Sequence, residues 1–183
     1  MNSLIKADLY RVQGLSYSGL NLLKGMRSKG FKYLFFMRLL AQRRNIVSTF
    51  ILKVILRMLS YRYGFQIPPS TPIGGGLFIG HFGTVVISVN AKIGSNCNIA
   101  HNVTIGAARG KRAGAPTIGD RVWIGTGAVL TGKITIGSDV LIAPNAFVNM
   151  DVPEHSIVIG NPAKIIAKHN PIEDYINNRW LEA

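Results

Sequence analysis

Two of the four histidines, His81 and His101, each stand two residues after an isoleucine, Ile79 and Ile99. A neutral imidazole near pH 7 can take a proton from an alcohol, so a histidine held beside a hydroxyl-bearing ligand can serve as a general base. His81 lies in the glycine-containing stretch GHFG (80–83), where a ligand can come close to the backbone. That setting makes His81 the candidate base. His101, followed by Asn102, either orients and crowds His81 or is a surface residue suited to a turn. His155 and His169 lie near the C-terminus and read as ordinary surface groups. The single cysteine, Cys97, excludes an intramolecular disulfide and any Cys-x-x-Cys metal or redox motif.

The spacing of these residues follows from a repeat. From residue 67 an aliphatic side chain recurs every six positions: Ile67, Ile73, Ile79, then Ile87, Ile93, Ile99, Ile105, and again Ile118, Ile124, Leu130, Ile136, Ile142, Val148. A small residue usually follows each anchor, and a small or β-branched one comes four positions after it. No amphipathic helix has a six-residue period. Short parallel strands joined by tight turns do, wound as a three-sided prism with one aliphatic anchor buried per side. Ile79 and Ile99 are three hexads apart, one full coil, so His81 and His101 are expected on one side of the prism in neighbouring coils, about 4.8 Å apart along the stack. Both should face outward. Cys97, four residues after Ile93 and in phase with Ala91 and Val103, should face inward and behave as a small hydrophobe.

Two interruptions break the period. Two extra residues fall between Ile79 and Ile87, around His81, and seven between Ile105 and Ile118, so that 106–117 must leave the prism as a loop. In a solenoid, insertions such as these tend to carry function, because the coils are committed to packing.

The charge is unevenly spread. The 183-residue chain has a net charge of +13, of which residues 1–66 hold +11: twelve basic residues against Asp8 alone. That part also contains the apolar, helix-compatible runs FKYLFFMRLL (31–40) and NIVSTFILKVILRMLSYRYG (45–64), the second with Lys53 and Arg57 four residues apart. Neither reaches the uncharged length needed to span a bilayer. Such helices can cap the prism, rest on an anionic membrane surface, or do both. Nucleic acid is not the expected partner, since the aromatics lie in hydrophobic runs rather than along a polar strand face. MNSLIKADLYRV does not read as a secretory signal, so a cytoplasmic location is expected, with peripheral attachment to the inner membrane. Three parts are therefore delimited: a basic amphipathic α-helical segment at 1–64, a β-prism at 65–168, and a tail at 169–183 expected to be helical.

Residues 65–168, closing on DVPEHSIVIGNPAKII (151–166), resemble the hexapeptide-repeat acyltransferases. The resemblance implies a mainly-β fold, a left-handed parallel β-helix with a short α-helical N-terminal segment, although crossovers are otherwise right-handed. It further implies acetyl-CoA as acyl donor, no metal, and a homotrimer with the active site between subunits. Residues 64–106 look most like the serine-acetyltransferase type, where the histidine of this turn is the general base, which places that role on His81 with His101 or Asn102 positioning the acceptor. By the same resemblance Thr126, Gly127, Pro144 and Asn149 lie beside the pantetheine arm, with Lys164 and Lys168 near the CoA phosphates or simply solvated. Two assisting aspartates of that type are replaced by Gln66 and Gly80, and a loop histidine by Ala115. No histidine occurs in 106–117, unlike the galactoside-acetyltransferase branch, although Asn102 matches its assisting asparagine. That type's long all-helical N-terminal domain is replaced by the short basic segment, and the branch the chain resembles most is the one that O-acetylates capsular, O-antigen or exopolysaccharide sugars. With these departures the expectation is a glycan acceptor, a sugar hydroxyl of a surface polysaccharide or its lipid-linked precursor. Serine O-acetylation in cysteine biosynthesis is the second reading. An inactive β-helix scaffold in a glycan-assembly complex is the third.

Overall fold

The computed structural model describes residues 3–42 and 45–181; Arg43 and Arg44 of the basic segment lie outside them. Four helices come first: α1 (Ser3–Tyr10), α2 (Gly19–Gly25), α3 (Lys29–Ala41) and α4 (Ile46–Tyr63). The strands then run β1 (Phe65–Gln66), β2 (Phe78–Ile79), β3 (Val85–Ile87), β4 (Lys92–Ile93), β5 (Asn98–Ile99) and β6 (Val103–Gly106). After a short 3₁₀ turn at Gly110–Arg112 they continue as β7 (Thr117–Ile118), β8 (Trp123–Ile124), β9 (Val129–Thr131), β10 (Thr135–Ile136), β11 (Val140–Ile142), β12 (Phe147–Val148), β13 (Ser156–Ile159) and β14 (Lys164–Ala167).

The strands form three sheets, ordered β1-β3-β6-β9-β12, β10-β7-β4 and β14-β13-β11-β8-β5-β2, parallel throughout except that β14 turns back antiparallel on β13. They are the three walls of a left-handed parallel β-helix. All thirteen hexad anchors are buried inside it, together with Ala91, Cys97, Val103, Val122, Ala128, Val140, Ala146 and Val152 from the fourth positions. Removing one large aliphatic side chain of this kind from water contributes about 1.5–3 kcal/mol, and only stacked coils make that burial possible. The corners turn through left-handed backbone. Asn96, Arg121, Asp139 and His155, all near φ +55°, succeed one another down one edge. The loop 106–117 leaves the prism as a small hairpin, with Ala108 and Gly114 exchanging backbone hydrogen bonds.

Helix α3 lies between α1 and α4 and closes the first coils, Tyr33, Leu34 and Met37 joining Leu56, Tyr63 and the prism anchors in one core. Two polar devices fix the docking. Asp8 on α1 accepts the Gly76 and Leu77 N–H groups at 2.9 and 3.0 Å and pairs with Arg38 of α3 at 3.0 Å. Arg38 also donates to the Ile73 and Gly74 carbonyls, both at 2.6 Å. Burial pushes the Asp8 carboxyl up, and the Arg38 guanidinium and the two N–H groups hold it down. In addition Gly30 brings the first turn of α3 against β2, so closely that a Cβ there would sit 2.1 Å from the Ile79 carbonyl oxygen.

The helical segment departs from expectation in that α1 and α2 precede the two apolar runs. Both are short, and the Ser18 side chain caps α2 by accepting the Asn21 N–H. The tail also differs: no helix occurs in 169–181. A turn over 171–175 leads into an extended strap lying along the outer face of β13, β11, β8 and β5. Ile172 and Ile176 pack on Leu141, the Tyr175 ring sits tilted against Trp123, and Asn96 exchanges two hydrogen bonds with the Trp180 backbone. The strap ends at α1, with Trp180 edge-on to Tyr10. Its polar groups are satisfied by that wall, as where the Asn98 side chain donates to the Tyr175 carbonyl, and Pro171 does not favour a helix beginning before it.

Candidate functional site

His81 and His101 occupy the corner between the β2–β5 wall and the β3–β6 wall. Register explains why they meet. Ile79 pairs with Ile99 and Val85 with Val103, so the chain is in phase on both sides of the corner, with two more residues in the upper turn than in the lower. The surplus bulges outward as GHFG. His81 is exposed and His101 half-buried, their ring centroids 5.9 Å apart and nearly perpendicular. Nδ1 of His101 is buried and meets no hydrogen-bond partner among the described residues.

Gly83 makes the bulge possible. Its φ is +136°, which an L side chain rarely adopts, and a Cβ on it would lie 3.1 Å from the His101 Cβ. Its N–H donates to the Tyr63 carbonyl at 2.9 Å, so the end of α4 holds the turn that carries His81. Gly64, the left-handed cap of α4, packs against Gly83 from the other side. Between them Phe82 is exposed, with the Lys29 ammonium 3.5 Å from its ring centroid. Sequence reading misses this cation: Lys29 and Phe82 lie far apart in the chain, and only the docking of α3 on β2 joins them.

Below His101 the same corner continues. Counting from Ile99, Ile124 and Ile142, Thr126 lies under His101 and Pro144 under Thr126; Gly127 and Asn145 follow under Asn102. The Gly127 N–H donates to the His101 carbonyl at 3.2 Å and the Asn145 N–H to the Thr126 carbonyl at 2.9 Å. The structure thus brings His81, His101, Asn102, Thr126, Gly127 and Pro144 into one column. Lys164 pairs with Ile159 at the column's lower end, whereas Lys168 bonds His155 at the opposite end of β13. Lys168 and Pro144 nonetheless border a common groove of about 700 Å³ between the strap and the wall, with Trp123, Leu141 and Ile157 at its floor. Asn149 follows β12 at a different corner, away from the column. Cys97 is fully buried inside the prism, and burial pushes its thiol up to about 12. Among the described residues no group of three or more His, Cys, Asp or Glu could hold a metal ion.

This corner can present an imidazole to a hydroxyl on an open wall, with small side chains below it along which an extended ligand could lie. Comparison with known proteins gives the corner a chemical context. Residues 115–149 match the family model described as bacterial transferase hexapeptide (six repeats). The chain is 41% identical over 122 residues to a serine acetyltransferase of Helicobacter pylori, covering 65% of this chain and 70% of that one. The crystal structure of Neisseria gonorrhoeae serine acetyltransferase superposes with a TM-score of 0.73 at 30% identity, over 90% of this chain and 64% of that one. Serine acetyltransferase from Brucella abortus, solved in complex with coenzyme A, gives 0.73 at 28% identity, over 90% of this chain and 67% of that one. The chain thus spans about two thirds of these relatives. These matches overturn the expected glycan acceptor, which rested on the departures at Gln66, Gly80 and Ala115, on the short N-terminal segment and on the resemblance to the capsular and exopolysaccharide branch.

Proposed function

The chain belongs to the serine acetyltransferase family, and from that premise we propose that it is an acetyl-CoA-dependent O-acetyltransferase acting on the side-chain hydroxyl of L-serine. The similarity to serine acetyltransferases along the prism carries this reading, and the corner column supports it. His81 accepts the hydroxyl proton as the serine oxygen attacks the thioester carbonyl; the carbon–sulfur bond then breaks and the CoA sulfur leaves, regaining a proton. His101, beneath His81, positions the base and, with Asn102, the acceptor. The pantetheine arm follows Thr126, Gly127 and Pro144 down the corner, with Lys164 at its lower end. The column is open to solvent on a single chain. A neighbouring prism in a homotrimer supplies the second wall that encloses the thioester and excludes water.

The test is CoA release by the purified full chain with acetyl-CoA and L-serine, the product being identified as O-acetylserine by mass spectrometry. His81→Ala should lower kcat/KM by about 10²–10⁴-fold, the usual contribution of a positioned general base. Its far-UV circular dichroism should stay unchanged because His81 is exposed. Absence of serine-dependent turnover in the unmodified chain overturns the acceptor. Turnover by the His81→Ala variant at the unmodified rate overturns the base.

A further inference from the structure

Helix α4 is apolar on two opposite sides. Leu52, Leu56 and Tyr63 pack inward. Ile46, Val47, Phe50, Ile51, Val54 and Met58 face outward, with exposures from 44% at Val54 to 84% at Ile46. At 3.6 residues per turn these six side chains form one stripe along the helix, diametrically opposite the packed side. The exposed Lys53 and Arg57 border it on one edge and the exposed Arg62 on the other. A helix apolar all round is normally buried all round, so the outer stripe requires a cover.

Charge selects what that cover is. Residues 1–66 contain one acidic residue, Asp8, and it is buried against Arg38. The outer surface of the helical segment therefore presents positive charge without an exposed carboxylate from the same segment to balance it. A second copy laid face to face on α4 would oppose Lys53, Arg57 and Arg62 to their own equivalents, since a two-fold contact uses the same patch twice. A bilayer surface containing anionic lipid meets both needs: the apolar stripe enters the acyl boundary and the flanking cations lie among the headgroups. We propose that the outer face of α4 docks in the plane of an anionic membrane surface. No helix among the described residues is long and apolar enough to cross a membrane, so α4 lies on the bilayer. The Tyr63 carbonyl at its end holds the Gly83 N–H, so the docked helix is joined directly to the turn that carries His81.

Co-sedimentation of the purified full chain with vesicles tests this. Vesicles of phosphatidylcholine mixed with phosphatidylglycerol should bind the chain, high salt should weaken the binding, and phosphatidylcholine alone should bind it far less. Each lost cation should lower partitioning about fivefold, so the triple variant Lys53→Gln, Arg57→Gln, Arg62→Gln should bind about a hundredfold less. The double variant Phe50→Ser, Met58→Ser should also bind less, while both variants keep the far-UV circular dichroism of the unmodified chain. Failure of the unmodified chain to bind anionic vesicles, or equal binding by the triple variant, overturns the proposal. So does dissociation of the unmodified assembly into smaller species in the double variant, read by light scattering, because a second copy would then be the cover.

Discussion

Alanine in place of Gly30 sets helix propensity against a backbone contact, and the two predict opposite signs. Gly30 lies in the first turn of α3, where propensity alone favours alanine by about 1 kcal/mol. The added Cβ, however, would fall 2.1 Å from the Ile79 carbonyl oxygen and 2.9 Å from the Ile79 Cβ. Ordinary contact begins near 3.4 Å, so α3 and β2 must separate by about 1 Å. Overpacking of this kind costs about 1–3 kcal/mol. The same movement opens a gap beneath Tyr33, Leu34 and Met37 and forfeits part of their dispersion energy. A net destabilisation of about 2 kcal/mol is therefore expected, despite the gain in propensity. The effect reaches the site, because His81 stands two residues beyond Ile79; a displacement of about 1 Å at the base is expected to lower kcat/KM by about a hundredfold. Urea unfolding followed by far-UV circular dichroism measures the first quantity, and CoA release with L-serine the second. Gly19→Ala is the control, since nothing lies within 4 Å of a Cβ at that position; it should be neutral or stabilising by up to about 1 kcal/mol. A Gly30→Ala chain as stable and as active as the unmodified one would refute the proposed coupling of α3 to the His81 turn.

Asp8→Ala should cost about 3–5 kcal/mol in the same unfolding experiment, because it leaves the buried Arg38 charge without its partner and two N–H groups without their acceptor. Asp8→Asn keeps an acceptor oxygen and should fall between that variant and the unmodified chain; an Asp8→Ala chain of unchanged stability would remove the ion pair from the account of docking. Cys97 should fail to react with a disulfide reagent in the folded chain at pH 8 and should titrate as one thiol per chain in denaturant, since burial pushes its thiol up to about 12. Rapid labelling of the folded chain would place that residue outside the core.

The prism was readable because its physics is local and periodic. Each anchor must be apolar and each corner small, so Ile99 announces both the strand it ends and the position of His101 two residues later. The same phase assigned Cys97 to the interior, where it lies. The N-terminal segment was less readable. Helix α4 is apolar on both faces, and sequence alone does not say which face packs; nor does it show that Gly30 meets Ile79, a contact created by docking rather than by pattern. The strap was misread as a helix because its order comes from a wall formed elsewhere in the chain, through Asn96 and Asn98. Asn149, assigned to the pantetheine arm by resemblance, lies at another corner of the same prism, one side away from Thr126, Gly127 and Pro144. The acceptor was misjudged for a different reason: it was read in part from single positions, Gln66, Gly80 and Ala115, whereas the similarity to serine acetyltransferases extends over 122 residues.

The strap also bears on how the molecule comes apart. Stacked coils touch only their neighbours, so a bare solenoid can fray from either end, one coil at a time. Here the chain's last described segment reaches back to the first coils and to Tyr10, fastening the two ends of the stack together. Peeling the final coil therefore also releases contacts at the opposite end, and the array melts as a single cooperative unit. The same closure asks the folding chain to join distant segments late, which slows assembly in exchange for that cooperativity.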